Sequence, residues 1–293
     1  MWRLDSEEPL FECKHKARVN HVGFSPDGRQ FVTASWDGSA QAWDAWNGNR
    51  MFPPFGHRGE VNWAEFSPAG DLIVTASRDK TVRIWSARTG ALIWTLEHAD
   101  APTELRPFHI ASDGRRLATV AGDAFQIWDL RTGRSIVGPI RPGGLLLSVR
   151  FDRDGERLIT TSNDGAACLW DAWTGYQLSE PMRHAARVTY GEFSPDGACV
   201  VTGSWDETVR IWPVVRAPLP APAWLPELAE AAAGLRLDAN DVSEVTPVEE
   251  FYQLRQSLSS SADSDYYDRW ARWFFADSEH RSVTSFLELA LTQ

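Results

Sequence analysis

Serine, histidine and aspartate recur together along this 293-residue chain: His15, Ser35 and Asp37, then His57, Ser77 and Asp79, then His184, Ser204 and Asp206. These are the side chains of nucleophilic acyl transfer, in which a base takes the hydroxyl proton and an acid holds the base. Repetition argues against that chemistry here. A nucleophile occurs once per active site, whereas this set occurs three times at one spacing. Each copy ends in a tryptophan, Trp43, Trp85 or Trp212, 28 residues after its histidine. Polar groups that are buried need partners, and a fully satisfied cluster stiffens the element that holds it. The seven histidines show no metal-ligand spacing, so the sequence predicts no metal; no cofactor is expected, and the repetition of the set argues against an enzyme.

The elements that position these residues follow from a period. Trp2, Trp43, Trp85, Trp128, Trp170 and Trp212 return about every 42 residues, the length of a propeller blade of four strands. Within one copy, Val61, Trp63 and Glu65 alternate with Asn62, Ala64 and Phe66, and Leu72-Ile73-Val74 is an apolar run, both patterns of buried or half-buried strands. Ser-Pro-Asp-Gly at 25–28 and 194–197 supplies a turn residue, a fixed φ and a glycine for positive φ, which makes a hairpin corner. A further strand is expected from Ala91 to Leu96, after the Thr-Gly of 89–90.

One phrase fills each good copy: HKARVNHVGFSPDGRQFVTASWDGSAQAWD from His15, HRGEVNWAEFSPAGDLIVTASRDKTVRIWS from His57 and HAARVTYGEFSPDGACVVTGSWDETVRIWP from His184. Each resembles a WD40 repeat. The resemblance implies an all-β propeller of about five four-stranded blades over residues 1–215. The repeats fall at about 15–55, 56–97, 98–140, 141–182 and 183–215, with an outer strand at 9–13. By the family pattern, His15, Ser35, Asp37 and Trp43 form a structural hydrogen-bond network, as do His57, Ser77, Asp79 and Trp85, and His184, Ser204, Asp206 and Trp212. The pattern also implies a partner-binding rim. The residues just before each aspartate give Trp36, Arg78, Asn163 and Trp205, and those before the first strand give Arg18, Glu60 and Arg187. Trp36 and Trp205 either face the rim or fill space between blades.

Two copies depart from the pattern. In the one ending at Trp128, Ala121 stands at the serine position and the turn before Asp123 is a residue shorter. In the one ending at Trp170, Ser162 and Asp164 are kept but Pro142 replaces the histidine. These two neighbouring blades are expected to be the softer side of the disc. The last repeat runs from Trp212-Pro213 into a proline-rich stretch and lacks an outer strand of its own, which Pro9 to Cys13 could supply. Propellers of this family usually close with seven blades, more than this chain holds. Trp2 also sits where a third strand would end. The expectation is therefore the C-terminal part of a longer propeller, or a shortened one that dimerises or stays an open arc, with strand edges that need cover.

Residues 216–226 read as a proline-rich linker and 227–293 as a helical tail. Trp224, Leu225, Leu228, Ala232 and Leu235 share one helical face, with Gly234 at the stop. Thr246-Pro-Val-Glu249 reads as a capping box that opens a second stripe of Val248, Phe251, Leu254 and Leu258. Tyr266, Tyr267, Trp270, Trp273 and Phe274 form an aromatic stripe, read as private core ahead of a partner groove. Val283, Phe286, Leu287 and Leu291 close the chain. This tail resembles the end segments of large bacterial WD-repeat proteins, some of which carry a Ser/Thr kinase domain. No glycine-rich loop, His-Arg-Asp or Asp-Phe-Gly is present in these residues.

Net charge is −11, and the tail from Arg216 onward holds thirteen acidic and six basic residues, so nucleic acid is not expected as a ligand. Cys13, Cys168 and Cys199 are scattered and odd in number, as reduced core thiols of a cytoplasmic protein would be. No signal peptide or membrane-length apolar run is seen, so no membrane partner is expected. The function expected from the resemblance is a non-catalytic scaffold that binds a protein or peptide on the propeller rim, with self-association if the ring is incomplete. The alternative is a regulatory or substrate-recognition portion of a larger bacterial signalling enzyme such as a Ser/Thr kinase.

Overall fold

The computed structural model describes residues 10–103, 107–214, 224–237, 243–259, 271, 274 and 275. The chain divides into two compact units, residues 1–212 and 213–293. Among the described residues the first holds five antiparallel sheets in chain order. Blade 1 is β1 (Val19–Phe24), β2 (Gln30–Ser35), β3 (Ser39–Asp44) and the short β4 (Phe55–Gly56). Blade 2 is β5 (Val61–Phe66), β6 (Leu72–Ser77), β7 (Thr81–Ser86) and β8 (Leu92–Glu97). Blade 3 is β9 (Phe108–Ile110), β10 (Arg116–Ala121), β11 (Ala124–Asp129) and β12 (Arg134–Ile140), and blade 4 is β13 (Leu146–Phe151), β14 (Arg157–Ser162), β15 (Ala166–Asp171) and β16 (Met182–Arg183). Blade 5 has three strands, β17 (Val188–Phe193), β18 (Cys199–Ser204) and β19 (Val209–Pro213).

Each blade is a meander closed by tight corners. Gly28 takes φ 70° while its N–H donates to Ser25 O, and Asp27 accepts from the Arg29 N–H, so the Ser-Pro-Asp-Gly stretch turns β1 into β2. The core lies between blades, which is why second strands such as β6 are buried on both faces. Val32, Ala34, Ala40, Ala42 and Phe55 of blade 1 meet Val61, Ala64, Phe66, Ile73 and Trp85 of blade 2. Val74, Val82, Ile84 and Leu96 meet Ile110, Leu117 and Trp128 in the same way. Blades 3 and 4, expected to be the softer side, share an apolar cluster running from Val120, Phe125 and Ile127 to Val149, Leu158 and Trp170, with β10 and β14 buried along their whole length.

The proposed outer strand at 9–13 takes a different form. Leu10–Cys13 is in no sheet among the described residues, and β19 has no partner on its outer side there. Phe11 instead stacks on Phe31, and Phe11 and Cys13 pack on the cluster of Phe31, Trp43 and Ala45. Side-chain burial against blade 1 holds the segment where backbone pairing does not. Trp2 lies outside the described residues.

In the second unit, α1 (Trp224–Ala233) begins inside the stretch read as linker. It stops at Gly234, at φ 71°, so Leu235 belongs to a strand and leaves the helical face assigned to it. That strand, β20 (Leu235–Leu237), pairs with β21 (Ser243–Val245), ahead of α2 (Val248–Ser259). The capping box is not formed, because the Thr246 hydroxyl is buried with no hydrogen-bond partner among the described residues. Arg236 joins the two helices through Glu230 and Glu250, each at 2.7 Å. Leu228, Leu258, Ala271 and Phe275 form a core with Trp224, Phe251 and Phe274 against it. Val248 is exposed, off the stripe. Tyr266, Tyr267, Trp270 and Trp273 and the last apolar segment lie outside the described residues.

Candidate functional site

The Ser/His/Asp/Trp sets are internal to single blades. His57 Nδ1 lies 3.0 Å from Asp79 Oδ2 and its Nε2 lies 2.8 Å from Thr75 Oγ1, which accepts from Trp85 Nε1 at 2.9 Å. Because a carboxylate only accepts, His57 donates through Nδ1 and takes the Thr75 proton at Nε2. The order is thus Trp85 to Thr75 to His57 to Asp79. The same distances recur at His15, Asp37, Thr33 and Trp43 and at His184, Asp206, Thr202 and Trp212. The threonine hub is absent from the sequence-derived set. Ser35, Ser77 and Ser204 do other work: each accepts from the N–H of its aspartate and donates to a loop carbonyl, of Ala17, Gly59 or Ala186.

Burial decides the protonation of this network. It pushes His57 down to about 4 against the pull of Asp79, so the imidazole is neutral at neutral pH. Burial raises the Asp79 carboxyl, but hydrogen bonds from the Thr81 hydroxyl, the Arg58 N–H and His57 outweigh it and hold it at about 2. Each serine is spent on backbone groups and no histidine reaches it, while the threonine hydroxyl that each histidine does reach belongs to a buried residue and also accepts from the indole, which makes it a structural link. In blade 3, His98 and Trp128 both bond Thr119, with no aspartate, and in blade 4 Trp170 bonds Thr160 with no histidine. Among the described residues no cluster of three or more histidine, cysteine or acidic side chains could hold a metal ion.

These networks fix the corners that carry the rim residues. A backbone hydrogen bond joins each residue before an aspartate to the residue before the first strand: Trp36 to Arg18, Arg78 to Glu60, Asn163 to Leu145 and Trp205 to Arg187. Trp36 is half-buried, with the guanidinium of Arg18 4.7 Å and that of Arg78 5.6 Å from its ring. Arg78 belongs to the next blade, so Trp36 fills the space between blades. Trp205, at the same position in blade 5, has no later blade beside it among the described residues and is 65% exposed, with the Arg187 guanidinium 2.9 Å from its ring centre. Arg78 pairs with Glu60 at 2.9 Å. Arg18 and Asn163 are exposed and stand apart from the cavity described next.

Arg78, Arg187 and Trp205 converge on one cavity of about 780 Å³, drawn from blades 2 to 5. Its other walls are Ala101, Pro102, Thr103, Gly122, Leu145, Leu147 and Thr189, none of which the sequence singled out. Leu145 occupies in blade 4 the place of Glu60 and Arg187, a position hidden by the altered histidine end of that repeat. Leu147 and Thr189 are there because the first strands of blades 4 and 5 each carry a bulge at that residue. The mouth is therefore lined mostly by apolar side chains, with two guanidinium groups among them.

The sequence profile of the family described as WD domain, G-beta repeat, matches residues 7–44, 50–86, 138–171 and 177–213. All but the last three residues of the third sheet fall between the second and third matched spans, where the histidine, serine and aspartate pattern is most altered. Ribosome assembly protein 4 of Saccharomyces cerevisiae is 46% identical over 50 residues, which is 16% of this chain and 10% of that protein. The chain thus spans about a tenth of the length of that relative.

Proposed function

We propose that this chain, which carries WD40 repeats matched at four places between residues 7 and 213, is a protein-interaction scaffold that seats a segment of a partner protein in the mouth between blades 2 and 5. The observation that carries this reading is the cavity itself. Leu145, Leu147, Pro102 and Trp205 give it apolar walls, and Arg78 and Arg187 add two guanidinium groups to the lining. Exposed tryptophan and arginine are the side chains that most often anchor interfaces. The partner chemistry that fits is an extended segment with one or two apolar side chains next to a carboxylate. Glu60 already meets Arg78 as such a carboxylate would. The role is non-catalytic and the setting cytoplasmic. No helix among the described residues is long and apolar enough to cross a membrane. A net charge of −11 disfavours nucleic acid. The kinase-linked alternative draws on the tail resemblance alone.

Selection from a displayed random-peptide library tests it, with wild-type chain and the Arg187→Glu and Leu145→Glu variants as baits. Wild-type chain is expected to enrich peptides pairing an acidic with an apolar residue, and both variants to lose them by at least tenfold in Kd. Equal binding by wild type and both variants would remove the mouth from the function.

A further inference from the structure

The two ends of the run of blades are unfinished in matching ways. Inside the run, each blade lays small apolar residues against the first strand of the next, and Val61, Ala64 and Phe66 are buried there. One repeat earlier, Val19, Val22 and Phe24 have the same character on β1, yet Val22 is 57% and Phe24 56% exposed. At the other end, Val209 and Ile211 on β19 hold the places of Val82 and Ile84. The latter are fully buried, whereas Ile211 is 71% exposed. One end has the face that receives a preceding blade, and the other has the face that meets a following one.

The outer strands repeat the mismatch. In the interior an outer strand completes its own sheet and covers the glycine turn of the next blade: Phe52, just ahead of β4, sits over Gly90, Trp94 over Gly133, and Val137 over Gly175, each so close that a Cβ on the glycine would collide. Phe11 covers Gly48 in the same way, and Cys13 Sγ donates to Gly48 O at 3.5 Å. Leu10–Cys13 therefore holds the outer-strand place in front of blade 1 without a sheet, while β19 has a free outer edge among the described residues.

We propose that a second copy of this chain docks head to tail. The outer edge of β19 in one copy pairs with Leu10–Cys13 of the next, and Val209 and Ile211 pack on Val19, Val22 and Phe24. The occupant follows from continuity with the blade-to-blade interface, which occurs within the chain and whose two halves are the two exposed faces. The contact is heterologous, so every copy keeps a face for another, and the assembly ends as a closed ring or extends as a filament.

Light scattering on the full chain tests the proposal. Wild type is expected at twice or more the single-chain mass of 32.8 kDa. Val22→Glu and Ile211→Glu are each expected to fall to that single mass, with the near-ultraviolet dichroism of the tryptophans retained because both positions are already exposed. If Ile211→Glu loses that signal, Val209→Lys replaces it. Mixing the two variants separates head-to-tail docking from any symmetric dimer. Each retains the face the other lacks, so a two-chain species is expected in the mixture alone. A single-chain wild type at all concentrations, variants that stay assembled, or a mixture of single chains would each overturn it.

Discussion

Replacing Thr75 by valine keeps the side-chain volume and removes the one hydroxyl that holds the blade 2 network together. Thr75 Oγ1 accepts from Trp85 Nε1 at 2.9 Å and donates to His57 Nε2 at 2.8 Å, with all three side chains buried or nearly so. A buried polar group left without its partner costs about 1–3 kcal/mol, so the two orphaned groups together predict a loss of about 2–6 kcal/mol. Thr160 is the internal control. It accepts from Trp170 Nε1 at 2.8 Å, but Pro142 stands where the histidine would be, so Thr160→Val orphans one group and predicts about 1–3 kcal/mol. Urea unfolding of the two variants beside wild type, compared at unchanged m, reads the difference directly. An equal loss at both sites, or a larger one at Thr160, would refute the reasoning, since the link from hydroxyl to imidazole would then contribute nothing net.

Acid should weaken the fold in two stages. His57 and His98 are both pushed by burial to about 4, below the unfolded value of 6.5, so the unfolded chain binds more protons between these values. Stability is then full above pH 6.5 and falls as pH drops toward 4. Asp37 and Asp79, both held at about 2, withdraw their contribution below the unfolded 3.8. Melting followed against pH is expected to show a plateau above 7 and a decline below 6.5, and a flat profile down to pH 4.5 would contradict it. Gly90→Ala is expected to cost about 2–5 kcal/mol in urea unfolding, because it forces φ 72° on alanine and drives a Cβ to within 2.7 Å of the Phe52 ring. Gly28→Ala, at φ 70° with open space around it, should cost only about 1–2 kcal/mol.

The period of the tryptophans made the sheets legible, because each blade needs the same small apolar residues on the same strands to meet its neighbours. Strand geometry explains why Thr33, and not Ser35, links the histidine to the indole. Phe31 lies opposite Trp43, Thr33 opposite Gln41 and Ser35 opposite Ser39, so all three β2 residues share a face with the indole. A diagonal neighbour two residues along is about 7–8 Å away and within reach of a long ring, whereas four residues along is about 13 Å. Thr33 satisfies that limit and Ser35 does not, a distinction already present in the spacing of Thr-Ala-Ser and Trp. The mouth was only half legible. Arg78, Arg187 and Trp205 stood out by their place in good repeats, but Leu145 and Leu147 lie in an altered one, and Leu147 is aimed by a bulge that no residue type announces. Exposure at the ends followed from the count of blades and not from the strands themselves. Val19, Val22 and Phe24 carry the same apolar character as Val61, Ala64 and Phe66, and Val209 and Ile211 that of Val82 and Ile84, since local sequence encodes which face a strand presents and not whether a blade is there to receive it. An end blade written with interior residues has the chemistry of an interior face, and what matches such a face is the opposite end of the same repeat array.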